Sequence, residues 1–489
     1  MMGKTKSPAG IAKLDRDRRT PLSRQVYERF RAAIERGTLR PGDRVASARS
    51  LASELGVARG TVEAAYSQLA GEGYFEPRGQ AGTVVSPALP QPRPARPARS
   101  TRPAGRDPRR AGVRPQTNAL APLAAPPPLQ LGIPALDAFP RELWARLVAR
   151  RARAAGAADM FYGDPAGHPP LREAIAAYLL VSRGVSCHPA QVFVTAGYRA
   201  SLALVSRTLL KKDDRVWTED PCFPPTQDVL HAAGHRTVPV PVDDEGMVVA
   251  RGLRKAAKAR MAIVTPSHQA PLGVSMTLAR RLQLLAWASQ ANAWIVEDDY
   301  DGEYRYAGPP LPALKSLDGH DRVLYAGSFS KVLYPGLSLG YLVVPESLRA
   351  RFHDAARTWS NGCPQITQAV AADFLRDGHF SRHLKKMRLL YARRRAMLVA
   401  ALQKAFGDAV RIDLQSGGMH LIARFDGRRE SDVELAARAQ KAGLNCQPLS
   451  ERGTPGICGE GLLMGFTNVA SGAQAQQLAT KLRAALDAR

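Results

Sequence analysis

Between residues 86 and 128 the chain carries 12 prolines, eight arginines and a single aspartate. Proline fixes φ and removes a backbone donor, so the stretch has no amphipathic period and little to bury. It is expected to be an extended, semi-rigid linker, and it obliges the 489-residue chain to build separate cores on its two sides. With 45% hydrophobic and 23% charged residues there is material for both, which excludes wholesale disorder. The expected divisions are a module over 18–86, the linker over 87–128 and a large domain over 129–489.

The formal net charge is +26: residues 1–85 contribute +6, residues 86–128 add +7, and the remainder adds +13. Such a surplus points to a polyanionic partner or to an arginine-rich composition, and the total alone does not choose between them. The chain contains no run of about 18 apolar residues, so no membrane span is expected. Two lysines near the start are not followed by an apolar segment, which argues against a secretory signal. Cysteines 187, 222, 363, 446 and 458 form no CxxC pair and no metal-ligand spacing. They indicate free thiols in a reducing cytoplasm and no metal site.

Within 18–86, Val26, Phe30, Ala33 and Ile34 form a helical stripe over Pro21–Leu39. Pro41-Gly42-Asp43 turns the chain, and Ser47 is placed to cap a helix over Ala48–Leu55, which Gly56 ends. A third helix, about Ala58–Glu72, buries Val62, Ala65, Tyr66 and Leu69. Two short helices joined by a glycine turn are the helix-turn-helix signature. Gly73–Glu76, a glycine-rich turn and Thr83–Val85 follow as strand, turn and strand: a wing. The start of the third helix would face bases in a major groove. Arg59 there can read guanine or clamp phosphate, and so can Thr61, while Arg49 and Arg78 suit phosphate or minor-groove contact. The segment PLSRQVYERFRAAIERGTLRPGDRVASARSLASELGVARGTVEAAYSQLAGEGYFEPRGQAGTVV resembles the GntR-type winged helix across its whole length. It departs from that pattern at Val45–Ala48 and at Gly60, positions that bear on the DNA sequence read more than on the fold.

Beyond Leu129, short β-branched runs alternate with helical windows such as Leu278–Ala291. The runs are Gln191–Thr195, Arg215–Thr218, Thr237–Val242, Met261–Thr265, Ala293–Glu297, Val323–Ala326 and Leu339–Val344. Alternation of this kind predicts an α/β domain with a mostly parallel sheet. One long helical region over Thr367–Phe406, strands Val410–Leu414, Met419–Phe425 and Leu462–Thr467, and a last helix from Gly472 predict a smaller α+β lobe. Ligands of such sheets sit at the carboxyl ends of the strands. Those ends carry Ala196-Gly197-Tyr198, Glu219-Asp220, Ser267-His268-Gln269, Glu297–Asp301 and Ser328-Phe329-Ser330-Lys331. A lysine flanked by hydroxyls, an acidic run with a tyrosine, and a helix start suit pyridoxal 5'-phosphate. That cofactor needs an amine for its Schiff base, a carboxylate at the pyridine nitrogen and donors for its phosphate.

Residues 129–489 resemble the fold-type I aminotransferases. With the winged helix they resemble the MocR/GabR-type transcription regulators. The blocks that carry this are FYGDPAGHPPLREAIAAYL, VTAGYRASL, EDPCF, VTPSHQAPLGVSMTLARRLQLLAWA, IVEDDYDGEYRY, GSFSKVLYPGL and GHFSRHLKKMRLLYARRR. The resemblance implies a multidomain chain: an N-terminal winged helix-turn-helix, then an α/β fold-type I transferase-like domain that binds pyridoxal phosphate. It implies that Lys331 is the Schiff-base lysine, and that Asp298, or the adjacent Asp299, meets the pyridine nitrogen. Tyr300 would reach the cofactor 3' oxygen and Phe223 would stack on the ring. Ser328, Ser330 and the amides around Gly197 and Tyr198 would hold the phosphate. His268 belongs to the same cofactor-binding set, and Tyr162 would serve the phosphate site of a second copy in a homodimer. Three arginines that the resemblance leads one to expect are replaced here by Ser338, Glu451 and Pro225, with Arg452, Arg199 and Arg424 as candidate substitutes for a carboxylate clamp. The expected function is a cytoplasmic, nucleoid-associated regulator that binds operator duplex DNA and senses a small amine, an amino acid or the cofactor itself. An active aminotransferase with an accessory DNA module, and a regulator that has lost the cofactor, are the alternatives.

Overall fold

A computed structural model describes residues 14–15, 20–79, 82–87, 126–306, 312–360 and 362–488. The chain divides into two compact units, Met1–Ala111 and Gly112–Arg489. Most of the expected linker, residues 88–125, lies outside the described residues, as do Gln80 and Ala81 in the expected wing turn.

In the first unit, α1 (Leu22–Glu35), α2 (Ala48–Leu55) and α3 (Arg59–Gly71) precede the antiparallel strands β1 (Phe75–Pro77) and β2 (Thr83–Val85). The helical stripe becomes a core because Val26, Phe30, Ala33 and Ile34 of α1 and Val62, Ala65, Tyr66 and Leu69 of α3 are all buried. Phe30, Tyr66 and Phe75 meet edge to face with ring centroids 5.1–5.4 Å apart, the arrangement that aromatic quadrupoles favour. The Ser47 hydroxyl accepts from the Ser50 amide at 3.1 Å, and Gly56 ends α2 in the left-handed region. The first wing strand starts at Phe75, two residues after the expected Gly73, because Gly73 takes φ +80° to leave α3. An isolated bridge between Arg44 and Val84 ties the wing to the turn before α2.

The second unit contains β3 (Val192–Thr195), β4 (Arg215–Asp220), β5 (Arg236–Asp243), β6 (Gly246–Met247), β7 (Met261–Val264), β8 (Trp294–Asp299), β9 (Val323–Ser328) and β10 (Gly340–Val343). They form one sheet in the order β3-β10-β9-β8-β7-β4-β5-β6. The pairs β4–β5, β4–β7, β7–β8 and β8–β9 are parallel, whereas β10 runs antiparallel to both β3 and β9. The central strands are buried on both faces, as their continuous apolar runs require. Each of the seven expected strands is present; the short β6 is additional.

The smaller lobe is a four-stranded antiparallel sheet of β11 (Val410–Asp413), β12 (His420–Phe425), β13 (Gln447–Pro448) and β14 (Leu462–Gly465), in the order β11-β12-β14-β13. The single helical region expected over Thr367–Phe406 is two helices, Gln365–Arg376 and His379–Phe406. Gly378, at φ +71°, makes the break, since a left-handed residue ends the i to i−4 ladder. No helix among the described residues is long and apolar enough to cross a membrane.

Candidate functional site

The site lies at the carboxyl ends of the sheet strands. Gly340 of β10 pairs with Thr195 on one side and Ser328 on the other. A Cβ at Gly340 would come within 2.9 Å of the Gly197 Cα, so only glycine lets the β3 turn approach the β9 end this closely. Gly197 takes φ +92° and opens the helix Tyr198–Leu209, leaving that helix's first amides free of intrahelical acceptors. The Ser328 hydroxyl accepts from the Ser330 amide at 3.2 Å. A helix start and a hydroxyl turn thus face one another across a glycine, an arrangement suited to a phosphate.

Lys331 follows immediately. Its Nζ donates to the Gly132 carbonyl at 2.8 Å, and a Cβ at Gly132 would fall 2.5 Å from that nitrogen. Burial lowers the Lys331 pKa below the usual lysine value, against the opposing pull of Asp301 and Asp298. Asp298 is itself buried, and its pKa is pushed well above the usual carboxylate range by desolvation and by the neighbouring acids Asp299, Glu219 and Asp301. Asp299 has a different environment. It forms an ion pair with Arg183 at 2.8 Å and accepts from the Tyr325 hydroxyl at 2.6 Å. Of the two adjacent carboxylates, one is committed to a buried structural pair and the other is surrounded chiefly by other acids.

The His268 Nδ1 lies 2.9 Å from the Tyr300 hydroxyl and 3.1 Å from Asp301 Oδ1. Glu219, at the end of β4, accepts from the Thr265 amide and hydroxyl at 3.1 and 2.6 Å and from Gln269 Nε2 at 3.1 Å. Burial raises its pKa to about 7. Phe223 remains 40% exposed beside Tyr198, with centroids 6.3 Å apart, and the Tyr198 hydroxyl meets Thr226 Oγ1 at 2.9 Å. Lys331, Asp298, Tyr300, His268, Ser328, Ser330, Gly197, Tyr198 and Phe223 thus all lie at strand ends on one edge of the sheet. Tyr162 is different: it is 86% exposed and packs edge-on against Phe161.

The three positions that replace expected arginines are accounted for locally. Ser338 takes φ +47° after the turn Pro335–Leu337, Pro225 is buried in the first turn of the helix Pro224–Ala232, and Glu451 is exposed. Arg424 is held by Asp413 at 2.8 Å and by the Glu460 carbonyl at 2.8 Å, which rules it out as a waiting clamp. Arg452 sits where the Cys222 amide donates to its carbonyl at 3.0 Å, next to Phe223. Arg199 is exposed.

Sequence reasoning missed Gly132 and Arg183 as parts of this region. Both lie far along the chain from their partners, and neither sits in a distinctive local pattern. Glu219 and Asp301 were visible only as acids near strand ends.

In the winged module Arg49 is exposed, Arg59 pairs with Glu63 at 2.7 Å and Arg78 with Glu76 at 3.1 Å, while Thr61 lies in the first turn of α3. The Arg44 guanidinium lies beside Gly82, 3.1 Å from a Cβ placed there, and so adds a cation at the wing that the sequence reading did not single out.

Residues 22–85 match the family of bacterial regulatory proteins called gntR, and residues 130–459 match aminotransferase class I and II. The chain is 39% identical to the probable rhizopine catabolism regulatory protein MocR of Rhizobium meliloti, over 93% of this chain and 92% of that one. It is 34% identical to the pyridoxine biosynthesis transcriptional regulator PdxR of Corynebacterium glutamicum, over 91% of this chain and 92% of that one. The large domain superposes on a kynurenine aminotransferase of Pyrococcus horikoshii solved with PMP. That match has a TM-score of 0.66 at 26% identity and covers 73% of this chain and 90% of that one. With both modules matched in order and the likeness to MocR running almost end to end, the chain belongs to the MocR-type HTH transcriptional regulators, DNA-binding proteins in which a GntR module precedes an aminotransferase class I and II domain.

Proposed function

We propose that this regulator holds pyridoxal 5'-phosphate in its large domain and uses it to sense a small amine, an amino acid or the cofactor itself. The observation that carries this reading is the division of labour between Asp298 and Asp299. Asp299 is neutralised by Arg183 and Tyr325. Asp298 is buried near Lys331 with a raised proton affinity, and a protonated pyridine nitrogen is a cation that would stabilise its carboxylate.

When bound, the cofactor supplies a reactive carbonyl and an electron-withdrawing ring. The chain's own residues supply the rest. A lowered Lys331 pKa raises the fraction of neutral, nucleophilic amine near pH 7, and the Gly132 carbonyl orients it. The Tyr300 hydroxyl, positioned by His268, would face the 3' oxygen. Ser328, Ser330 and the Gly197–Tyr198 amides would take the phosphate, with Phe223 on the ring face. An effector that competes for the lysine would bias the arrangement of the lobes and, through the linker, the winged helices. We place this in a cytoplasmic homodimer bound to operator DNA. The exposed Met160, Phe161 and Tyr162 support a second copy, being an apolar surface next to the expected Tyr162 contact.

The test joins two measurements on the full chain. Wild type incubated with pyridoxal phosphate should show an absorbance band that borohydride reduces, and Lys331→Ala should lose it. Gel shifts on the protein's own upstream DNA, with and without the cofactor and candidate amines, should show an affinity change in wild type alone. A protein that stays colourless on reconstitution overturns the sensing reading and leaves DNA binding standing.

A further inference from the structure

Behind Tyr300, where Asp301–Arg305 of the larger lobe meets Ser416–Gly418 of the smaller one, lies a cavity of about 10 Å³. Arg183, Ser267, His268, Asp301 and Arg305 line it, and five of their polar atoms are buried without a hydrogen-bond partner among the described residues. They are Arg183 Nε, Ser267 Oγ, His268 Nε2, Asp301 Oδ2 and Arg305 Nε, whereas Asp301 Oδ1 lies 3.1 Å from His268 Nδ1. Arg183, Ser267, His268 and Asp301 are each more than nine-tenths buried. So many orphaned groups around one small space is costly, since a buried polar atom left unpaired loses its full hydration.

The chemistry of the wall selects the occupant. Two guanidinium N–H groups disfavour a cation, and the Asp301 carboxylate disfavours an anion. An apolar occupant would satisfy none of the five atoms. A neutral molecule that donates twice and accepts twice matches the set, and about 10–15 Å³ is the space one water requires. We propose that this cavity binds a single water molecule, which accepts from the arginine Nε–H groups and donates to Asp301, and so links Asp301 to Arg305, whose guanidinium bonds Ser416 Oγ of the smaller lobe. The surrounding backbone already converges there. The Tyr306 amide donates to the Ser416 carbonyl at 2.8 Å, the Gly418 amide to the Tyr304 carbonyl at 2.9 Å, and Arg305 to Ser416 Oγ at 3.0 Å. Gly418 keeps the space open, because a Cβ there would lie 2.2 Å from the His268 ring. The water would touch Asp301 and His268, and His268 holds Tyr300, so the position of the smaller lobe would be felt at the cofactor site through polar contacts.

The test uses the cofactor-free full chain. Ser267→Thr adds a methyl at the cavity wall and Ser267→Ala removes the hydroxyl. With a bound water, Ser267→Thr displaces it, and the large domain's thermal midpoint falls by a few degrees, further than in Ser267→Ala. A dry cavity would be filled by the same methyl, leaving the midpoint unchanged or higher, and that result overturns the proposal. A crystal structure of the wild-type chain guards against a drop caused by steric strain alone. Density for one water within hydrogen-bond distance of Asp301 and an arginine Nε supports the proposal, and a cavity without density overturns it whatever the midpoints.

Discussion

In the winged module the Arg59 side chain is 67% exposed and reaches Glu63 on the next turn; in the large domain Arg183 is 3% exposed and closes on Asp299, which is 1% exposed. Both are arginine–carboxylate pairs below 3 Å, yet they do different work. An exposed pair contributes about 0–1 kcal/mol and can be exchanged for a phosphate at little cost. A buried pair that loses one partner leaves a desolvated charge behind, at about 3–5 kcal/mol. The module keeps its arginines available, and the large domain uses its own to fix the geometry around Lys331.

The largest effects test whether the large domain's adjacent carboxylates are as different as their surroundings. Asp299→Asn should destabilise that domain by about 3–5 kcal/mol, read as a lower unfolding midpoint in denaturant. Asp298→Asn should leave the midpoint near wild type and abolish the borohydride-reducible band. Equal effects on stability would erase the distinction on which the cofactor reading rests.

A change of similar size is expected on the other side of the comparison. Phe30→Ala removes one ring of the aromatic trio and should cost the module about 3–5 kcal/mol. DNA binding should be lost in gel shifts while the cofactor band persists. If the band disappears too, the two units do not fold independently.

Burial raises the Glu219 pKa from 4.5 to about 7, so the folded state holds a proton that the unfolded chain releases. Its contribution to stability is fully present below about pH 4.5 and is lost as pH rises through about 7, by on the order of 3 kcal/mol. Glu219→Gln should lessen the fall in the large domain's unfolding free energy between pH 5 and 8, while burial of Glu297 and Glu303, which raises their pKa values likewise, keeps the rest of it. An unchanged slope would mean that Glu219 is ionised throughout.

The smallest effect belongs to the surface. If Arg59 contacts phosphate, Arg59→Ala should weaken binding to operator and non-operator DNA alike and lower the salt-dependence slope by about 1. A loss confined to operator DNA would make Arg59 a base reader.

Much of this protein was legible from its residues. Short β-branched runs located all seven expected sheet strands, period-3.6 patterns located the three module helices, and the strand-end polar residues marked one edge of the sheet. The local errors have local causes. The helix expected over Thr367–Phe406 breaks at Gly378 because periodicity persists across a single left-handed residue. The strands β6 and β13 are too short to show a period.

What the sequence determined by itself is what local chemistry encodes: which segments are helical or extended, and which residue types gather at strand ends. It left Asp298 and Asp299 equivalent, as neighbours in one acidic run. Only the tertiary structure separates them, by bringing Arg183 from more than a hundred residues away to Asp299 and Tyr325 from a neighbouring strand to the same carboxylate. It likewise sets Gly132 against Lys331 and Gly418 against His268. Side chains alternate across a strand, so adjacent residues face different surroundings. Those surroundings are assembled from distant segments, and burial there decides which carboxylate is paired and which is left with its proton affinity raised.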